Sequence, residues 1–351
     1  MAIPQVPYRF DRSYSWNYAH APTLPRARRM PSGPGGRLFD YQLNSPLGIA
    51  AGPLLNSKWI EGYARLGYDI LTYSTVRSVE RQAYSLPNVR HVENREQTAV
   101  IAKRPGLNGS TTIAISTGTP SMEPDVWRKD IRKTREKLGR GQVLIVSVMG
   151  TPDVTADAEA LVADYALCAV WAAEAGADIV EVNLACPNPF GDAGQMVYDS
   201  IAMSAQIVYR TRTSIKVPLV AKFGPFRTPR QLHETATKLA PWAHGFELVH
   251  GIQRRVVDED GNPAFEGPGR DLAYVVGTDT FAACARQVEE MLAWRKAGAW
   301  DRAILGVGGI TTVERAQHLL HEGANAVLVA TAALFDPLFA TRFRQVKLTA
   351  A

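Results

Sequence analysis

Short apolar runs rich in β-branched residues alternate along this chain with longer segments whose apolar positions recur every three or four residues. Eight runs have strand character: LGIAA (47–51), DILTYST (69–75), VLIVSV (143–148), DIVEVNL (178–184), PLVAKF (218–223), FELVH (246–250), AILGV (303–307) and AVLVA (326–330). Helical patterns lie between them, among them SKWIEGYARLG (57–67), TADAEALVADYALCAVWAAEAG (155–176), PRQLHETATKLA (229–240) and TTVERAQHLLHEG (311–323). This alternation predicts an α/β fold built on a parallel sheet. Eight such units in about 250 residues predict a (β/α)8 TIM barrel rather than an open sheet. No Gly-x-Gly-x-x-Gly follows the first strand, which counts against a dinucleotide-binding fold.

The pattern divides the chain into an N-terminal extension (1–40), a barrel (41–340) and a C-terminal tail (341–351). The extension is rich in aromatics, arginine and proline and predicts an irregular arm laid over one end of the barrel. Segment 104–126 is a Gly/Ser/Thr/Pro-rich connection of the long kind that usually carries function. RRVVDEDGNPAFEG (254–267) predicts a hairpin around Asp260-Gly261, inserted after the sixth strand.

Composition narrows the class. With 351 residues, 46% of them hydrophobic, the chain can bury a large core. No apolar run reaches the roughly 18 residues of a membrane-spanning helix, and the first residues lack the apolar core of a secretory signal. Cys168, Cys186 and Cys284 are widely spaced without a CxxC pair. That argues for a reducing cytoplasm and against disulfides, an iron–sulfur cluster or any metal site built on thiolates. A net charge of +5 is mild, and the densest basic run, WRKDIRKTREKLGR (127–140), also carries acids at helical spacing, as a solvated helix face does. No nucleic-acid or membrane partner is expected.

Barrel chemistry gathers where strands run into the following loops. Those positions read Ala51-Gly52, Ser74-Thr75, Ser147, Asn183, Lys222, His250-Gly251, Gly308-Gly309 and Ala330-Thr331, a polar and glycine-rich set. Gly308-Gly309 and Ala330-Thr331 each stand just before a helix start, where free N–H groups and the helix dipole favour a phosphate. Lys222 closes an apolar strand, so it either snorkels to solvent or needs an anion in the barrel mouth. A reduced flavin, negative near N1 and O2, is such a partner. Cys186 sits in the turn after DIVEVNL, between an asparagine and a proline. Near its free pKa of about 8.5, a thiol is a passable proton donor or acceptor around neutrality. Cys168 and Cys284, on apolar helix faces, read as small buried hydrophobes. Phosphate anchor, lysine and thiol together point to FMN.

NSPLGIAAG, EVNLACPN, VPLVAKF and ILGVGGITTVERAQHLLHEGANAVLVATAALF resemble the FMN-dependent dihydroorotate dehydrogenase family and the flavin domain of dihydropyrimidine dehydrogenase. The resemblance runs in order from about residue 37 to residue 336. It implies an FMN phosphate held by Gly308, Gly309, Ala330 and Thr331, with Ala51 and Gly52 at the ring edge and Lys222 at N1/O2. Ser74, Thr75, Asn183 and Gly251 complete the cofactor set. It further implies that Asn183 and Asn188 bind a pyrimidine-like ring and that Cys186 transfers the proton, as part of pyrimidine metabolism.

Departures from the family pattern concentrate in the substrate pocket. The family's second lysine, after strand two in one class and strand one in the other, is replaced by Tyr73 and Leu55. In AKRPGLNGS, Lys103 or Arg104 stands where an asparagine is expected and Asn108 matches. His250-Gly251 replaces an Asn-Thr or Asn-Ser pair. Lys103, Asn108 and His250 are therefore the expected substrate contacts beside Asn183 and Asn188. Swaps of this kind alter specificity strongly. They predict an anionic or differently substituted cyclic amide, dihydroorotate itself remaining open. The electron acceptor is a soluble compound or a partner subunit, and the resemblance leaves a homodimer open. Two other readings stand beside this one. A tRNA dihydrouridine synthase would share the barrel and the Asn-x-x-Cys-Pro turn, although NLACPN departs from its Asn-Met-Gly-Cys-Pro form and 337–351 is short for its RNA-binding domain. A non-catalytic barrel would bind flavin or a metabolite.

Overall fold

The computed structural model describes residues 6–25, 31–95, 98–101, 111–151, 157–192 and 194–345. All eight expected strands form: β1 (Leu47–Ile49), β2 (Ile70–Val76), β3 (Val143–Val148), β4 (Ile179–Asn183), β5 (Leu219–Phe223), β6 (Gly245–Leu248), β7 (Ala303–Val307) and β8 (Ala326–Val329). They pair in parallel in chain order and close into a barrel from β8 back to β1. All six residues of VLIVSV are buried, which is why that run shows no alternation: both faces of a parallel strand are covered. The helices follow the strands: α1 (Ser57–Ala64), α2 (Pro124–Lys137), α3 (Ala158–Glu174), α4 (Ile201–Ser214), α5 (Pro229–Leu239), α6 (Phe281–Lys296), α7 (Val313–His321) and α8 (Thr331–Phe335). Polar caps set several of their starts, with Asn56, Asp157, Thr228 and Thr312 accepting from backbone N–H groups of the first turn.

Side chains of alternate strand residues fill the barrel in layers. At the strand starts the filling is apolar, with Ile70, Ile145, Ile179, Val220, Leu305 and Leu328 in one cluster. Leu38 and Leu43 join that cluster from a hairpin pairing Gly36–Leu38 with Tyr41–Leu43. The segment expected to be an irregular arm thus contains a strand, and also a helix over Tyr14–Ala19. Towards the strand ends the filling turns polar, since two residues on from Ile179 and Val220 come Glu181 and Lys222.

A second, smaller closed sheet stands over that polar end. Val89–Asn94, Thr98–Ile101 and Ile113–Ile115 come from the connection after β2, and Ile252–Val257 and Ala273–Val276 from the one after β6. Part of the 104–126 connection is therefore strand, and Asp258–Asn262 forms a tight turn carried on this sheet. Buried Arg270 ties the two contributions together: Nε donates to Ser116 Oγ at 3.1 Å and Nη1 to the Ser85 carbonyl at 2.9 Å.

Candidate active site

Between barrel and upper sheet lies a cavity of about 730 Å³, within the roughly 300–1,000 Å³ usual for small-molecule sites. Of the residues singled out from the sequence, Ala51, Gly52, Ser74, Thr75, Asn183, Cys186, Lys222, His250, Ala330 and Thr331 line it. Tyr8, Phe10 and Tyr14 add walls from the N-terminal segment, and Ile113, Tyr274 and Val276 from the upper sheet. The β2–β3 register shifts between Tyr73 and Val76, and Thr75 Oγ1 lies 2.9 Å from Ser147 Oγ in a buried pair.

Four expected contacts stand elsewhere. Asn188 serves its own loop: its N–H donates to the Gln195 carbonyl at 2.8 Å and its side-chain oxygen accepts from Phe190 N at 3.1 Å. Gly251 borders a neighbouring pocket of about 590 Å³. Gly308 and Gly309, at φ 112° and 66°, lie behind the lining. A Cβ on Gly309 would stand 2.3 Å from the Phe281 nitrogen, so the close approach of α6 demands glycine there. Lys103 and Asn108 lie outside the described residues.

The expectation that Lys222 lacks an anion is corrected. Its Nζ lies 2.6 Å from Glu247 Oε1 and 3.7 Å from Glu181 Oε1, with all three side chains buried. Register explains the cluster: Lys222 sits opposite Glu247 on β6, while Glu181 on β4 pairs with Val220, two residues before it. Burial alone pulls the ammonium's pKa down, but the two carboxylates more than restore it and leave it raised. Burial, and then the Glu181 charge, push Glu247 well above the usual carboxylate range. The signal in the sequence was the same one that marked Lys222, a charge inside an apolar strand, in DIVEVNL and FELVH.

Cys186 also departs from expectation. Its sulfur is 3.0 Å from Tyr165 Oη on α3 and 3.3 Å from the Asn183 carbonyl. Burial pushes the thiol up to about 11, outweighing the Tyr165 hydrogen bond and the Arg77 charge that favour thiolate. It is a neutral thiol at pH 7, not a group poised near neutrality. His250 is neutral as well, drawn down to about 3 by burial and by Lys222, with its ring edge-on to Tyr274 at 4.7 Å. Tyr73, at the lost-lysine position, donates to Asp130 Oδ2 at 2.9 Å. Arg77, one residue past β2, also lines the cavity; no motif marks it in the sequence, where adjacency to Ser74-Thr75 is its one signal. Among the described residues no group of three or more His, Cys, Asp or Glu could hold a metal ion, and no helix is long and apolar enough to cross a membrane.

No family model matches the sequence. A dihydroorotate dehydrogenase of Dictyostelium discoideum is 27% identical over 362 residues, covering 96% of this chain and 96% of that protein. Over nearly its whole length this chain is thus similar to a dihydroorotate dehydrogenase. It is also similar to the dihydroorotate dehydrogenase B (NAD(+)) catalytic subunit of Thermoplasma acidophilum, at 27% over 83% of this chain and 84% of that one. A dihydroorotate dehydrogenase (quinone) of Pseudomonas syringae pv. tomato is 25% identical over 83% of this chain and 78% of its own. The fold matches that of DHODH from Eimeria tenella, solved in complex with ferulenol, with a TM-score of 0.72. That match covers 93% of this chain and 86% of the other at 17% identity.

Proposed function

We propose that the protein interconverts the CH–CH and C=C forms of a cyclic amide, dihydroorotate or a related anionic dihydropyrimidine, using FMN in the barrel mouth and Cys186 as the proton-transferring group. One observation carries this reading. Ala51 after β1, Thr75 in β2, Asn183 and Cys186 at β4, Lys222 in β5, His250 after β6 and Thr331 after β8 converge on one cavity.

The residues present fit the cofactor. Gly52, at φ 130°, has open space where a Cβ would stand, so a flat ring meets backbone there rather than a side chain. Ala51, Gly52, Ser74, Thr75, Asn183, Lys222, Ala330 and Thr331 would hold it from the lining, with Gly308 and Gly309 on the phosphate side and Gly251, which borders the neighbouring pocket, completing the proposed set. FMN, when bound, supplies the hydride acceptor or donor. Lys222, kept charged by its carboxylates, supplies a fixed positive group at the cavity floor. The Asn183 amide and neutral His250 offer donors and acceptors to an amide edge; Asn188, Asn108 and Lys103 are the further proposed contacts.

Cys186 handles the proton. In the oxidative direction a carbon gives up hydride, and the thiolate takes the proton from its neighbour; in the reductive direction the thiol returns it. A thiol pushed up to about 11 is ready as an acid at pH 7, while its service as a base depends on Tyr165 and Arg77. The test is anaerobic mixing of the FMN-loaded protein with dihydroorotate. Bleaching of the flavin is expected, and Cys186→Ala should keep the flavin but slow the bleaching about 10²- to 10⁴-fold. A loaded protein that no dihydropyrimidine bleaches, or a Cys186→Ala variant as fast as wild type, overturns the reading.

A further inference from the structure

Arg77 is buried and lines the cavity together with Asn183, Cys186 and Lys222. Its side chain is held rigidly. Nε donates to the Thr119 carbonyl at 2.8 Å, Nη1 to Thr151 Oγ1 at 2.8 Å and Nη2 to the Gly118 carbonyl at 3.4 Å. All three acceptors are neutral, and a guanidinium carries five N–H donors, so two remain uncommitted among the described residues. Among the described residues no carboxylate forms an ion pair with it. Asp164, which feels its charge, accepts from the Ser78 hydroxyl at 2.9 Å and from Thr151 N at 2.5 Å, and so stands behind Thr151.

A buried cation without a counter-ion is unfavourable, and burial draws this guanidinium down to about 10. The remaining lining offers it no relief. Arg81 adds a second positive charge, and the one carboxylate among the described lining residues is Asp271, which is exposed. Elsewhere in the same cavity a cation is matched twice over. A rigid, desolvated, unmatched guanidinium beside the thiol is the arrangement that an incoming anion completes.

The geometry points to Arg77 as the residue that binds the carboxylate of the substrate. Arg77 then reads the charge of the cyclic amide proposed above, an assignment that rests on that reading. Its planar fork suits a carboxylate better than the point charge of a lysine would. A ligand that lacks the carboxylate leaves the guanidinium as poorly matched as before, and is discriminated against.

The test titrates the FMN-loaded protein with orotate, uracil and fumarate, read by the flavin absorbance shift and by calorimetry. Wild type should bind orotate at least about tenfold more tightly than uracil. Arg77→Gln should lose about 10- to 100-fold in orotate affinity with uracil changed less than about twofold, and Arg77→Lys should fall between. If Arg77→Gln does not fold, Arg77→Lys decides by the same comparison. Variants that bind orotate as tightly as wild type overturn the assignment while flavin bleaching by substrate still stands. Loss of fumarate binding alone gives Arg77 to a carboxylate-bearing electron acceptor and also overturns it. If wild type binds neither pyrimidine, the proposed function fails. Fumarate binding that depends on Arg77 would then keep the anion site, and its absence would end that too.

Discussion

Two buried cations border one cavity in opposite electrostatic circumstances. Lys222, rising from the barrel floor, has two buried carboxylates within 4 Å. Arg77, on the wall, has three neutral oxygens and no ion-pair partner among the described residues. At the floor the problem of a desolvated charge is solved inside the protein. One ammonium and two carboxylates would sum to −1 if all were ionised, and burial beside Glu181 favours the protonated form of Glu247, which lessens that excess. At the wall the problem is left open. The difference separates a charge that belongs to the fold from a charge that belongs to a ligand.

The sharpest way to break that comparison is to delete each cation. Lys222→Met leaves Glu181 and Glu247 buried without a positive partner and should lower unfolding stability by about 3–5 kcal/mol in urea titrations. Arg77→Met strands no carboxylate and should lower it by less, about 1–3 kcal/mol, through the three neutral hydrogen bonds. Equal losses, or a larger one at Arg77, would erase the distinction.

A second experiment sharpens the floor alone. In the folded protein Glu247 keeps a proton that the unfolded chain releases near pH 4.3, so the folded state binds more protons above that pH. Stability from this group is therefore greatest at low pH and falls as pH rises, by about 1.4 kcal/mol per unit until the folded group itself titrates. Glu247→Gln removes that slope, so its stability relative to wild type should climb as pH rises above the ordinary carboxylate range. His250, neutral when folded, contributes the opposite slope below about pH 6.5, but it does so in both proteins and cancels. A difference that does not vary with pH would mean that Glu247 is ionised.

The smallest expected effect lies at the thiol. Because Cys186 is pushed up to about 11, the rate of substrate oxidation at saturation should rise with pH through the alkaline range. Arg77 favours its thiolate, so Arg77→Gln should move that limb to higher pH and slow the reaction up to about tenfold at a fixed pH. Glu247→Gln should leave the limb in place. A limb indifferent to Arg77 would separate the guanidinium from the proton-transfer step.

Much of the barrel was legible before folding was considered. VLIVSV and AVLVA read as strands because parallel strands are covered on both faces, and TTVERAQHLLHEG reads as a helix because one face alone is apolar. Cys186 and Lys222 stood out because each is an anomaly in its local sequence. Asn188 was expected at the site from the family resemblance, and only the folded loop after β4 shows its backbone N–H and side-chain oxygen bonding within that loop. The upper sheet was illegible because its strands come from segments more than 130 residues apart, and only tertiary pairing of Ile113–Ile115 with Ala273–Val276 makes them one surface.

What the sequence determined by itself is whatever short-range periodicity and local anomaly can encode: the strands, the helices, the thiol in its turn and the lysine at its strand end. What the tertiary structure alone decided is the partnership of charges. Glu181, Lys222 and Glu247 are far apart in the chain and meet because barrel closure sets β4, β5 and β6 side by side. Among the described residues, the same closure gives Arg77 no such neighbour. Electrostatic energy depends on distance and burial in space, so the charge of a residue can be read from the chain, but whether that charge is already answered cannot.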